Sequence, residues 1–156
     1  MEAYGWSLFA YPLFEAQLEK LANAVGKLST DDPSRRDSHP ATKLLVTIKH
    51  LVPDVIPRNP NSSEYRQGNT MGPDNRHWFR AKFHGRYRLV FRFSTQQKII
   101  VYAWVNDDAS LRKAGSKTDP YRVFKTMLES GDPPTSFSDL LGASKKLAAR
   151  KPRPQD

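Results

Sequence analysis

The chain contains no cysteine, which removes disulfides, thiolate nucleophiles and cysteine-based zinc sites from consideration. No apolar run approaches the ~20 residues that a membrane-spanning helix requires. The opening MEAYGWSLFA has an early Glu2 and no basic segment, so it does not read as a secretory signal. Histidines number 4, and their spacing matches no metal motif. Glycine-rich phosphate loops and a nucleophile elbow are also missing. These absences lead to the expectation of a cytoplasmic protein with no membrane partner and no cofactor. The most telling shortage is local: the 32 residues from Asn75 to Asn106 include neither Asp nor Glu.

What fills that stretch is basic and aromatic. Arg76, Arg80, Lys82, Arg86, Arg88, Arg92 and Lys98 alternate with Trp78, Phe79, Phe83, Tyr87, Phe91, Phe93, Tyr102 and Trp104. The period is that of strands rather than helix. The whole chain of 156 residues carries a formal charge of +9, which favours a polyanionic partner. Its length fits a single domain with a real core.

The elements can be read in order. Residues 5–10 form a strand that ends at Tyr11-Pro12. Phe14, Leu18, Leu21, Val25 and Leu28 then mark an amphipathic helix. A polar loop over 29–40 leads to a second helix bearing Leu44, Leu45, Ile48, Leu51 and Val52, which stops before Pro53. Residues 64–71 read as a strand, 76–84 and 86–94 as a hairpin about Gly85, and 98–106 as the central strand. A last helix opens at Thr118 or Asp119 with Pro120 in its first turn, and ends by Gly131 and Pro133-Pro134. Past Leu141 the chain is basic and poor in apolar residues, so a single domain over 1–141 and an unpacked tail over 142–156 are expected. The class is α+β, an antiparallel sheet packed on N-terminal helices with a further C-terminal helix.

Alternation assigns faces. Phe79, Ala81, Phe83, Tyr87, Leu89, Phe91 and Phe93 share one side and are expected to meet the helices. The other side then offers Arg80, Lys82, Arg88 and Arg92 together, with Trp78 free to stack on a base. Such a face suits RNA chemistry in which the 2′-OH attacks the adjacent phosphate. That reaction needs a proton acceptor, a proton donor and a cation for the phosphorane. Arginine serves the last role, being always charged and planar. Lys82, His77 and His84 are the candidates for proton transfer.

The run HWFRAKFHGRYRLVFRF (77–93), with KIIVYAWVNDDASLRKAGSKTDPYRVFKTML (98–128), resembles the YhaV toxins, a branch of the RelE-like ribonuclease toxins. The likeness extends to GWSLFAYPLF (5–14), ATKLL (41–45), EYRQG (64–68) and GDPP (131–134). It implies a RelE-like fold, a curved antiparallel sheet with helices on one side. It implies an mRNA interferase that needs no metal and works on translating ribosomes. A swapped-hairpin PrlF-type antitoxin from the same operon would neutralise the toxin, and the pair would bind operator DNA. By position, the resemblance makes Arg80, Lys82, Arg88, Arg112 and Tyr121 catalytic candidates. Arg66, Arg86, Arg92, Trp78 and Lys117 become RNA contacts. The chain departs from the family's R-x-Y-G at Arg112-Lys113-Ala114-Gly115, where Ala114 replaces a tyrosine. That departure keeps alive an alternative, a non-catalytic RNA- or DNA-binding module or attenuated toxin that mainly docks an antitoxin.

Overall fold

A computed structural model describes residues 1–149. Its strands are β1 (Glu2–Ala3), β2 (Trp6–Ala10), β3 (Phe79–Phe83), β4 (Tyr87–Ser94), β5 (Ile99–Val105) and β6 (Lys145–Lys146). Its α-helices are α1 (Pro12–Asp31), α2 (Pro40–His50), α3 (Pro120–Glu129) and α4 (Phe137–Ala143). The fold is α+β, as the sequence implied. The sheet runs β1-β2-β5-β4-β3, with β6 pairing the same edge of β2 as β1. It is mixed rather than wholly antiparallel, because β2 lies parallel to β5. The long α1 excursion after β2 makes a parallel return possible.

The sheet has helices on both faces, against the one-sided arrangement expected. On the first face, Phe14 of α1 and Ile48 of α2 pack against Leu8, Leu89, Phe91, Ile100 and Tyr102. The second face carries Val90, Val101, Ala103 and Trp104, covered by Tyr121, Phe124 and Leu128 of α3 and Leu140 of α4. The alternation of β3 and β4 does hold: Leu89 and Phe91 face one way and Val90 the other. In β5 it breaks. Val90 pairs with Trp104 but Phe91 pairs with Tyr102, so Ala103 is an extra residue in a bulge. Ala103 and Trp104 therefore share the second face.

Several expected boundaries move. Residues 64–71 are not a strand: a short 3-10 turn (Ser63–Tyr65) is followed by turns, and only Arg66 bridges to Phe79. Helical structure does not stop at Pro53, but widens into a π turn over Leu51–Val55. Proline has no N–H to continue the regular ladder, and the Tyr102 hydroxyl donates to the Val52 carbonyl at 2.7 Å. The hairpin loop spans His84, Gly85 and Arg86, with His84 (φ 47°) and Gly85 (φ 74°) both left-handed. The domain does not end at 141. Leu141 lies inside α4, and β6 returns to β2, where the Leu147 amide donates to the Leu8 carbonyl at 2.8 Å. The rest of the expected tail, residues 150–156, lies outside the described residues. No helix among the described residues is long and apolar enough to cross a membrane.

Candidate functional site

The site forms where the β3–β4 hairpin meets the first turn of α3. Register places Lys82 directly across from Arg88 and Arg80 across from Val90, so all three basic residues lie on the second face. Asp119 caps α3 by accepting from the Tyr121 amide at 3.2 Å, with Pro120 pre-set for the first turn. That cap aims the Tyr121 ring down at the hairpin.

The Tyr121 hydroxyl accepts from Arg80 Nε at 2.7 Å and from Arg88 Nε at 3.0 Å. Arg80 Nη1 donates to the Glu64 carbonyl at 2.7 Å. Arg88 Nη1 donates to the carbonyls of Gly85 (3.0 Å) and Tyr87 (2.8 Å). Arg80 and Arg88 are only 7% and 6% exposed, yet among the described residues neither has a carboxylate within 4.0 Å. Among the described residues the Nη2 group of each has no hydrogen-bond partner. Two buried guanidinium groups without an anion are costly to hold, and their uncommitted donors match the geometry of a phosphate.

Arg112 joins the cluster from the loop after β5. Its Cζ lies 4.9 Å from the Tyr121 ring centre. Its Nη1 is 2.6 Å from Asp119 Oδ1, an ion pair in which Asp119 is almost wholly buried. The loop is tied down twice. The Arg112 amide donates to the Arg86 carbonyl at 3.0 Å, and Arg86 Nε donates back to the Arg112 carbonyl at 3.1 Å. Buried Asn106 accepts from the Arg88 amide at 2.7 Å and donates to the carbonyls of Ser110 (2.8 Å) and Arg86 (3.1 Å).

Thus Arg80, Lys82, Arg88, Arg112 and Tyr121 are brought together, with Arg86 at the rim. Lys82 and Lys117 are exposed. The other candidates lie elsewhere. Trp78 is fully buried against Phe124, ring centres 5.0 Å apart, and is not available to stack on a base. Arg92 is not on an open face with Arg80 and Arg88. Its Cζ lies between Trp78 (5.2 Å) and Phe137 (5.3 Å), it donates to the Thr135 carbonyl, and burial pulls its pKa to about 10. His77 sits beside Trp78 with a buried, unpartnered Nε2. Burial holds its pKa down, the nearby Arg92 does so further, and the Thr135 backbone opposes both. His84 turns to the helix side, with Nε2 2.8 Å from the Thr47 hydroxyl. Arg66 is held by Asn61 Oδ1 at 3.0 Å.

Two residues that organise this site escaped sequence reasoning, Asn106 and Asp119 as the anchor of Arg112. The signal for the first was a polar residue closing the most apolar strand. Among the described residues no group of three or more His, Asp or Glu side chains is placed to hold a metal ion.

Comparison with known proteins places these residues in context. Residues 8–145 match the family described as a toxin with endonuclease activity, of a toxin–antitoxin system. Toxin YhaV of Escherichia coli O6:H1 is 41% identical over 138 residues, covering 87% of this chain and 90% of the relative. The ribonuclease toxin YhaV of Escherichia coli K12 shows the same identity over the same coverage. No solved structure matches the chain.

Proposed function

The chain belongs to the YhaV toxin family, and from that premise we propose that it cleaves mRNA by in-line attack of a 2′-OH on the adjacent phosphate. It is a toxin with endonuclease activity, and its toxin–antitoxin system supplies an antitoxin as partner. The observation that carries the proposed chemistry is the buried Arg80–Arg88 pair, joined at one tyrosine hydroxyl and, among the described residues, without a carboxylate partner. The free Nη2 groups bind the scissile phosphate and stabilise the charge that grows on the phosphorane.

In the proposed reaction the 2′-oxygen bonds to phosphorus and loses its proton, while the bond to the 5′-oxygen breaks and that oxygen gains a proton. The products are a 2′,3′-cyclic phosphate and a 5′-hydroxyl. Lys82, exposed and directly across from Arg88, serves in proton transfer in this reading. Tyr121 is 4% exposed with its oxygen beneath the two guanidinium groups, so it orients them rather than meeting RNA. Arg86 and Lys117, both exposed, contact flanking phosphates in this reading. His77 and His84 have no part, being turned away from the pair.

Action on translating ribosomes in the cytoplasm, neutralisation by a PrlF-type antitoxin and operator binding through the toxin–antitoxin complex complete the proposal. They are supported by family membership rather than by geometry. The test is RNA cleavage in excess EDTA, with and without ribosomes, comparing the wild type with Arg80→Ala and Arg88→Ala. Metal-independent cleavage lost by at least a hundredfold in both variants is expected. Cleavage that stops with EDTA, or that survives in both variants, overturns the assignment.

A further inference from the structure

Arg112 is unlike its basic neighbours, because its charge is already answered. Asp119 accepts from Arg112 Nη1 at 2.6 Å, from the Lys113 amide at 2.8 Å and from the Tyr121 amide at 3.2 Å. With three donors around it, the carboxylate cannot leave without breaking the helix cap. A phosphate approaching Arg112 would meet this fixed anion as well as the cation. Arg112 is therefore a weak phosphate ligand beside Arg80 and Arg88, which face no carboxylate among the described residues.

What Arg112 does offer is a flat surface. One side lies against the Tyr121 ring at 4.9 Å, while 29% of the side chain remains exposed. The residues that follow are exposed and small: Ala114 carries only a methyl group and Gly115 no side chain. A guanidinium held by an ion pair, backed by an aromatic ring and partly exposed is a stacking platform for a nucleobase. Arg88 Cζ lies 6.0 Å from the same ring centre, so a phosphate on the arginine pair and a base on Arg112 belong to one stretch of RNA.

We propose that Arg112 is the base-stacking residue of the site, its guanidinium plane sandwiched between the Tyr121 ring and a base next to the bound phosphate. This rests on the reading of the chain as an RNA-cleaving enzyme, and the test separates the two. Binding is measured by fluorescence anisotropy on short 2′-O-methylated RNA, which cannot be cleaved by 2′-OH attack, with one abasic residue stepped along it. Failure of the cleavage reading shows separately, as unmodified RNA left intact by the wild type.

One abasic position should weaken wild-type binding roughly tenfold, within the range for one stacked base. Arg112→Ala should lower binding of intact RNA by a similar factor and be indifferent to that abasic position. Arg112→Lys should behave like Arg112→Ala, since lysine keeps the charge and loses the plane. Near-wild-type binding by Arg112→Lys, an undiminished abasic effect in Arg112→Ala, or no sensitive position in the wild type overturns the proposal. If thermal unfolding shows that Arg112→Ala does not fold, Arg112→Lys, which can still pair with Asp119, decides alone.

Discussion

Replacing Tyr121 with phenylalanine deletes one oxygen and leaves the ring under Arg112 in place. That oxygen accepts from Arg80 Nε at 2.7 Å and Arg88 Nε at 3.0 Å. Hydrogen bonds involving a charged group contribute about 1.5–3 kcal/mol each, so the pair has an upper value of about 3–6 kcal/mol. Water entering the vacated space would re-satisfy part of this, leaving an expected loss of about 2–3 kcal/mol. For a chain of this size that corresponds to a fall in Tm of roughly 4–12 °C. The catalytic consequence is separate. Without their shared anchor the two guanidinium groups can shift by about 1 Å, which is enough to cost up to ~100-fold in rate. Calorimetry or circular dichroism gives the first quantity. Single-turnover RNA cleavage, well below the variant's melting temperature, gives the second. A variant within 1 °C and threefold of the wild type would refute the idea that Tyr121 holds the arginine pair.

Three further outcomes are expected. Trp78→Ala should cost about 3–5 kcal/mol of stability, as for a buried aromatic, whereas Trp78→Phe should leave RNA affinity unchanged. A tenfold affinity loss in Trp78→Phe at an unaltered Tm would return Trp78 to the RNA surface. Asn106→Ala strands the Arg88 amide and the Ser110 carbonyl and leaves the Arg86 carbonyl with only the Arg112 amide, and should destabilise by about 2–4 kcal/mol while slowing cleavage. Urea titration with a cleavage assay checks both effects. The phenols of Tyr11, Tyr65 and Tyr87 are pushed up to about 12 from an ordinary 10.0, chiefly by burial and then by Asp132, Glu64 and Asp108 respectively. Because the unfolded chain releases these protons first, stability should hold up to about pH 10 and fall between pH 10 and 12. Tyr87→Phe should make that fall shallower in pH-dependent melting, and an unaltered slope would count against the assignment.

The hairpin, the helices α1 to α3 and the grouping of Arg80, Lys82 and Arg88 on one face were legible because each rests on local chemistry. Period-two alternation sets faces, and Asp119-Pro120 announces a helix start. What covered that face was not legible. Periodicity says which side chains travel together but not which later helix lands on them, and so Trp78 and Arg92 passed for surface residues when α3 and α4 bury them. Lys145 and Lys146 gave no signal either, since their pairing with β2 is made by backbone groups that any residue possesses. His84 misled for another reason: its left-handed backbone at the hairpin loop swings the ring toward α2. Residues 64–71 have the composition of a strand but are held by the Gln67 side chain, which accepts from the Thr70 hydroxyl and the Met71 amide and donates to the Asn75 carbonyl.

The extra residue in β5 acts as a parity switch for everything after it. Upstream, odd-numbered Ile99, Val101 and Ala103 look toward α3; downstream that role passes to even-numbered Trp104, and buried Asn106 follows it to meet Arg88. Deleting Ala103 would remove a single methyl from the core, a trivial loss of volume. It would also close the bulge: Trp104, Val105 and Asn106 would keep their faces in regular alternation, but the bend and extra twist that the bulge puts into the strand just before Asn106 would be lost. The arrangement around Arg88 therefore depends on the bend at Ala103 as much as on the chemistry of the residues that flank it.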